Sequence, residues 1–118
     1  MIAINDLRIG NFITDPDLLN IPSVVVEIKY GFIVTNYNDA LVNAIPIKLT
    51  KEILDKCGFK NSEWEHKTKS DCLFVHDEII HIMDARDKNY SFTAPCKYLH
   101  QLQNLYYCLT GNELEVVW

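Results

Sequence analysis

Four polar side chains, His100, Gln103, Asn104 and Tyr107, recur at i, i+3, i+4 and i+7, the spacing that lines one side of a helix. Solvated helix faces usually carry Lys and Glu. Neutral donors and acceptors beside an aromatic ring suit a ligand or a polar network shared with neighbouring strands. Amides and an imidazole can pair with the edge of a base or the hydroxyls of a sugar, and Tyr107 can stack on a ring. This stripe is the expected binding surface, and what it binds is expected to be held without being changed. A nucleotide would need positive charge for its phosphates, which Arg8, Lys97 or a second subunit could supply. On strands, Arg8 and Lys29 are otherwise expected to point to solvent.

Two further groupings carry chemistry in principle. Cys96 stands one turn before His100, in what reads as the first turn of the same helix, where the N-terminal dipole favours thiolate. That is half of a Cys–His nucleophile arrangement, without an orienting third residue or an oxyanion motif. A packed cysteine near a structural histidine is the expectation, and a small Cys/His hydrolase is the alternative. Cys72, His76 and His81 could share a hairpin face, and three such donors can bind zinc. Their spacing matches no standard zinc motif, and Phe74 and Ile79 share the face, so no metal is expected. There is no P-loop, GxGxxG, HExxH or GxSxG, and no cofactor is expected.

These residues must be positioned by strands and helices that the pattern also outlines. Residues 7–14 read as a strand with a bulge or turn at Gly10-Asn11. Residues 23–30 and 32–37 read as a hairpin about Gly31, and residues 45–49 as a short edge strand because Pro46 cannot donate to a ladder. Thr50 is an N-cap, with Leu49 and Leu54 at hydrophobic-staple positions, Ile53, Leu54 and Cys57 on the buried side, and Gly58 at the left-handed stop. Residues 64–93 read as two or three antiparallel strands. With Asp77-Glu78 as a two-residue turn, Leu73, Val75, Ile80 and Ile82 share one face. Cys72, Phe74, His76, Ile79, His81 and Met83 share the other. Residues 85–89 read as a second turn. Pro95 suits the first turn of a second helix, which carries Leu99, Leu102, Leu105, Tyr106 and Leu109 as its apolar stripe and stops at Gly111. Residues 113–118 read as a final strand, with Leu114, Val116 and Trp118 on one face.

The totals limit the function classes. The chain has 118 residues, 48% hydrophobic and 23% charged, enough for one domain, residues 1–118, with a single core and no staples. The formal net charge is −5, with 11 Lys and Arg against 16 Asp and Glu. Nucleic-acid binders draw most of their affinity from neutralised phosphates, so general nucleic-acid binding is not expected, nor is an anionic membrane surface. The first residues lack a signal-peptide pattern, and no run approaches the ~18 apolar residues of a membrane span. A cytoplasmic location and reduced thiols at Cys57, Cys72, Cys96 and Cys108 are expected.

Three segments carry a resemblance. They are Leu7-Arg8-Ile9-Gly10-Asn11, then residues 45–54 ending in Cys57-Gly58-Phe59, and residues 98–106 followed by Leu109-Thr110-Gly111 and Glu113-Leu114. Together they resemble small uncharacterised proteins carried by bacteroidete phages and integrated mobile elements. The resemblance implies a setting in a bacterial host cell and a counter-defence or host-takeover role. It implies no activity, cofactor or catalytic residue.

The expected fold is α+β. A small SH3-like antiparallel β-barrel half is followed by a helix, antiparallel hairpin strands, a second helix and a final strand. The expected function is a non-catalytic binding module whose partner is a small nucleotide-like ligand, such as a sequestered nucleotide signal, or a host protein. A structural virion accessory protein is a further alternative. The apolar hairpin face at Phe74, Ile79 and Met83 and the edge formed by residues 116–118 lead to the expectation of a homo-oligomer.

Overall fold

Buried apolar side chains sort into two clusters, each built on its own antiparallel sheet. The computed structural model describes residues 2–59, 65–67, 71–84 and 90–118. In the first lobe β1 (Phe12–Thr14), β2 (Pro22–Lys29) and β3 (Phe32–Thr35) form a three-stranded sheet in the order β1-β2-β3. Alternation puts Ile13, Val25 and Ile33 inward, where Ile2, Leu7, Leu41 and Ala44 close over them. Gly31, with φ of +88°, supplies the left-handed residue that lets Lys29 pair with Phe32.

The strand expected over residues 7–14 is shortened to its last three residues. Asn11 is the reason. Its side-chain Oδ1 accepts a hydrogen bond from the Arg8 amide at 2.7 Å, and its own amide donates to the Arg8 carbonyl at 3.0 Å. With Gly10 at φ +98°, this closes a tight turn before β1, while the Gly10 amide and the Asn11 carbonyl still bond to Val25 at 2.8 and 2.9 Å. The SH3-like barrel is not established either. Residues 45–49 form no strand, and the chain around Pro46 joins its neighbours through isolated pairs. Thr14 pairs with Ile45 and Lys48 with Tyr98, so this segment staples the first lobe to the second.

The second lobe holds α1 (Lys51–Lys56), β4 (Glu65–Lys67), β5 (Asp71–His76), β6 (Ile79–Asp84), β7 (Tyr90–Pro95) and α2 (Leu99–Thr110). Its sheet order is β4-β5-β6-β7, antiparallel throughout. The fold is therefore α+β. Thr50 caps α1 by accepting from the Ile53 amide at 3.2 Å, Gly58 lies at φ +86°, and Phe59 packs back fully buried. His76 pairs with Ile79 across Asp77-Glu78, so the expected two-residue turn is present, with φ of 51° and 64° at the two residues. That places Leu73, Val75, Ile80 and Ile82 in the core with Leu54, Leu99 and Leu102. Of the opposite face, Phe74 and Met83 are half-buried and Ile79 is exposed. The second turn expected at residues 85–89 lies outside the described residues.

Two expectations at the C-terminal end are corrected. Pro95 ends β7 rather than opening α2. The missing N–H suits either place, and here Pro95 is the last ladder residue, opposite Ile79. Residues 113–118 are not a strand. The tail keeps the expected alternation, with Leu114 buried and Val116 half-buried on the core. Among the described residues its backbone bond is from the Val117 amide to the Lys56 carbonyl at 2.8 Å. Trp118 meets Phe12 edge to face at 5.2 Å. Alternation without a ladder reflects packing on a core, which needs no partner strand.

Candidate binding site

α2 lies between the two lobes, and its opposite sides serve different neighbours. Leu99 and Leu102 are fully buried in the second core. At its N-terminus Gln101 turns back, and its Oε1 accepts from the Lys97 and Tyr98 amides at 2.8 and 3.1 Å. Two amide groups that the helix leaves without partners are satisfied in this way.

The polar stripe is docked on the first lobe. Gln103 is 1% exposed. Its Oε1 accepts from the Phe12 amide at 2.9 Å, and its Nε2 donates to the Gly10 carbonyl at 3.0 Å. One side-chain amide thus plays the part of a neighbouring strand. Asn104 Oδ1 accepts from Asn11 Nδ2 at 2.8 Å and from Arg8 Nε at 3.3 Å, and its Nδ2 donates to the Asp6 carbonyl at 3.1 Å. The Arg8 guanidinium lies 4.4 Å from the centre of the Tyr107 ring. It also holds Glu113 with two prongs, Nη1 to Oε1 and Nη2 to Oε2, the second at 3.0 Å. That hydrogen-bonded carboxylate raises the Arg8 pKa above its usual value. Arg8, Gln103, Asn104 and Tyr107 are therefore brought together, with Asn11 and Glu113, in a network that fastens residues 6–12 to α2.

His100 stands apart from that network. It is 4% exposed, and its ring lies nearly parallel to Tyr98 with centroids 6.0 Å apart. Its Nδ1 is buried, with no hydrogen-bond partner among the described residues. Burial lowers its pKa, with the nearby Asp6 charge pulling the other way. An unpartnered buried polar atom costs ~1–3 kcal/mol, so this nitrogen calls for a partner. His100 lines a cavity of about 530 Å³, within the ~300–1,000 Å³ range of ligand pockets. Asn5 and Asp6 from the turn Ile4–Asp6, Pro95 and Cys96 ahead of α2, and Asn104 and Cys108 on α2 share the lining.

The cysteine environments differ from the sequence expectation. Cys96 precedes α2 rather than sitting in its first turn, and its amide donates to the Glu78 carbonyl at 2.8 Å. It is 1% exposed, and burial, with a smaller contribution from nearby Cys57, pushes its pKa up to about 12. At neutral pH it is a thiol, the opposite of what a helix-terminal dipole would give. Cys72, His76 and His81 do not converge. In the β5–β6 register they stand opposite Met83, Ile79 and Phe74, and the exposed His76 pairs with Asp77 at 3.2 Å. Among the described residues no group of three or more His, Cys, Asp or Glu could hold a metal ion. No described helix is long and apolar enough to cross a membrane.

Sequence reasoning missed Asn5, Asp6, Asn11 and Cys108. Helical spacing links Cys108 to Asn104 and so could have found it. Nothing local marks the other three, which reach α2 only through the turn before β1. No known protein family, curated protein or solved structure matches the chain.

Proposed function

We propose that this chain is a non-catalytic binding module that holds a small molecule in the cleft between the Ile4–Asp6 turn and α2, against His100. The observation that carries this reading is a cavity of ligand size lined by His100, a buried side chain whose Nδ1 has no hydrogen-bond partner among the described residues. A ligand that draws the ring toward the cleft and pairs with this nitrogen recovers a hydrogen bond that the described residues leave unmade. Binding without chemistry is favoured because Cys96, the nucleophile candidate nearest His100 in the chain, is buried and protonated. Gln103 and Asn104 contribute by fixing the cleft walls, since their amides are engaged within the fold. Sequestration of a nucleotide, the role that the mobile-element resemblance suits, would require cations at the phosphates. Arg8 is already engaged by Glu113.

The test is mass spectrometry of the protein purified under native conditions and then denatured. The proposal expects a small organic molecule to be released in near-stoichiometric amount, with the same mass after prolonged incubation of the complex. A steady conversion of that molecule into a product would identify an enzyme instead.

A further inference from the structure

The cleft at His100 has a chemical bias that narrows its ligand, and this inference rests on the binding function proposed above. Among the described residues its lining includes no Lys or Arg, and the charged side chain is Asp6. An anionic ligand would leave water and meet a carboxylate with no cation in return. The nearest cation in the network, Arg8, has its guanidinium committed to Glu113 and stacked on Tyr107. Lys97 belongs to a different cavity, beside α1 and the β5–β6 turn.

The remaining lining is mixed. Ala94, Pro95 and Leu105 present apolar surface, which suits a ring rather than a flexible polar chain. Around them, Asp6 offers acceptors and Asn5 an amide, while the Gln101 oxygen and the Asn104 amide are held by the fold. A neutral imidazole presents one donor and one acceptor, and either tautomer can meet the edge of a group that carries both. A carboxamide, a lactam or an amino-substituted heterocycle has such an edge, whereas a carboxylate or phosphate offers acceptors alone. We propose that the cleft takes an uncharged, ring-bearing amide or amino-heterocycle of nucleobase size, with its polar edge on His100 and Asp6, and that it discriminates against anionic relatives of the same shape.

Matched probes separate these possibilities. Isotope-labelled protein is titrated at neutral pH with benzamide against benzoate, and with adenosine against adenosine monophosphate. The ring nitrogens of His100 and the backbone amides of Cys96, Leu105 and Cys108 report binding. The uncharged member of each pair is expected to shift these resonances with an affinity at least about tenfold higher than its anion, a difference of roughly 1.4 kcal/mol. Cys108→Trp, at an exposed helix position on the cleft wall, fills the space without touching the core and is expected to abolish the shifts. If the anions shift the same resonances as strongly as the neutral probes, the proposed discrimination is wrong and the binding module stands. If no probe moves these resonances, or if Cys108→Trp leaves the shifts intact, the cleft is not the site and both proposals fall.

Discussion

Gln103→Leu is the substitution that most sharply tests how the two lobes are joined. The wild-type side chain satisfies the Phe12 amide at 2.9 Å and the Gly10 carbonyl at 3.0 Å from a position 1% exposed to solvent. Leucine fills a similar volume but offers neither donor nor acceptor. Each lost bond removes ~0.5–1.5 kcal/mol, and each backbone group left buried without a partner raises the loss toward ~1–3 kcal/mol. Two such groups, less some apolar gain from leucine, give a loss of about 2–5 kcal/mol, large against a typical total of ~5–15 kcal/mol. A chain of this length has an unfolding entropy near 0.25 kcal/mol/K, from ~2.1 cal/mol/K per residue. The melting temperature should therefore fall by roughly 8–20 °C. Urea unfolding followed by circular dichroism gives the free energy, and hydrogen exchange should show the Phe12 amide losing protection first. A loss under about 1 kcal/mol, with Phe12 still protected, would refute the view that this side chain acts as a strand between the lobes.

Other substitutions and conditions have equally definite outcomes. Glu78→Gly should stabilise the fold by about 1 kcal/mol, because a non-glycine residue at positive φ carries a steric penalty that exceeds glycine's extra chain entropy; a lowered urea midpoint would contradict this. His100 has a folded pKa below its unfolded value because burial disfavours the imidazolium. The unfolded chain therefore takes up the proton first as pH falls, and stability should be lost below about pH 6.5. His100→Gln should remove that part of the pH slope, read from urea midpoints across pH, and an unchanged slope would rule it out. Thiol labelling of the native protein should modify the exposed Cys108 quickly, while Cys57 and Cys96, both buried with pKa values near 12, react only on unfolding. Fast native labelling of Cys96 would restore the hydrolase alternative. Arg8→Met should cost on the order of 1–2 kcal/mol, read from the urea midpoint, since it removes the half-exposed pairing with Glu113 together with the bond to Asn104 and the stacking on Tyr107; an unchanged midpoint would contradict its place in the network.

What the sequence disclosed and what it withheld follow from the range of the interactions. The caps of α1 were legible because Thr50, Gly58 and Phe59 act within one helical turn of it. The β5–β6 hairpin was legible from alternation even though Asp77 and Glu78 are poor residues for its turn, since the core face of Leu73, Val75, Ile80 and Ile82 sets the register. Pro95 was misplaced because a residue without an N–H suits a helix start and a strand end equally. The tail at residues 113–118 misled because packing on a core produces the alternation of a strand. The stripe on α2 was visible as a period, but its partners were not. Asn11 meets Asn104 across 93 residues of chain, and no local signal marks such a pairing. The cleft at His100 was hidden for the same reason, since Asp6 and Pro95 reach it from different elements.

The central claim is that the chain holds a small molecule against His100 and leaves it unaltered. Its most direct test is the nitrogen resonance of the His100 ring, followed while isotope-labelled protein is mixed with the small-molecule fraction of a bacterial extract and then dialysed. The wild type should show a shifted Nδ1 resonance and, on denaturation, release a compound whose mass matches one in the starting extract. Cys108→Trp should show neither. An Nδ1 resonance that stays put in the wild type, or a released compound whose mass differs from anything supplied, would contradict the claim.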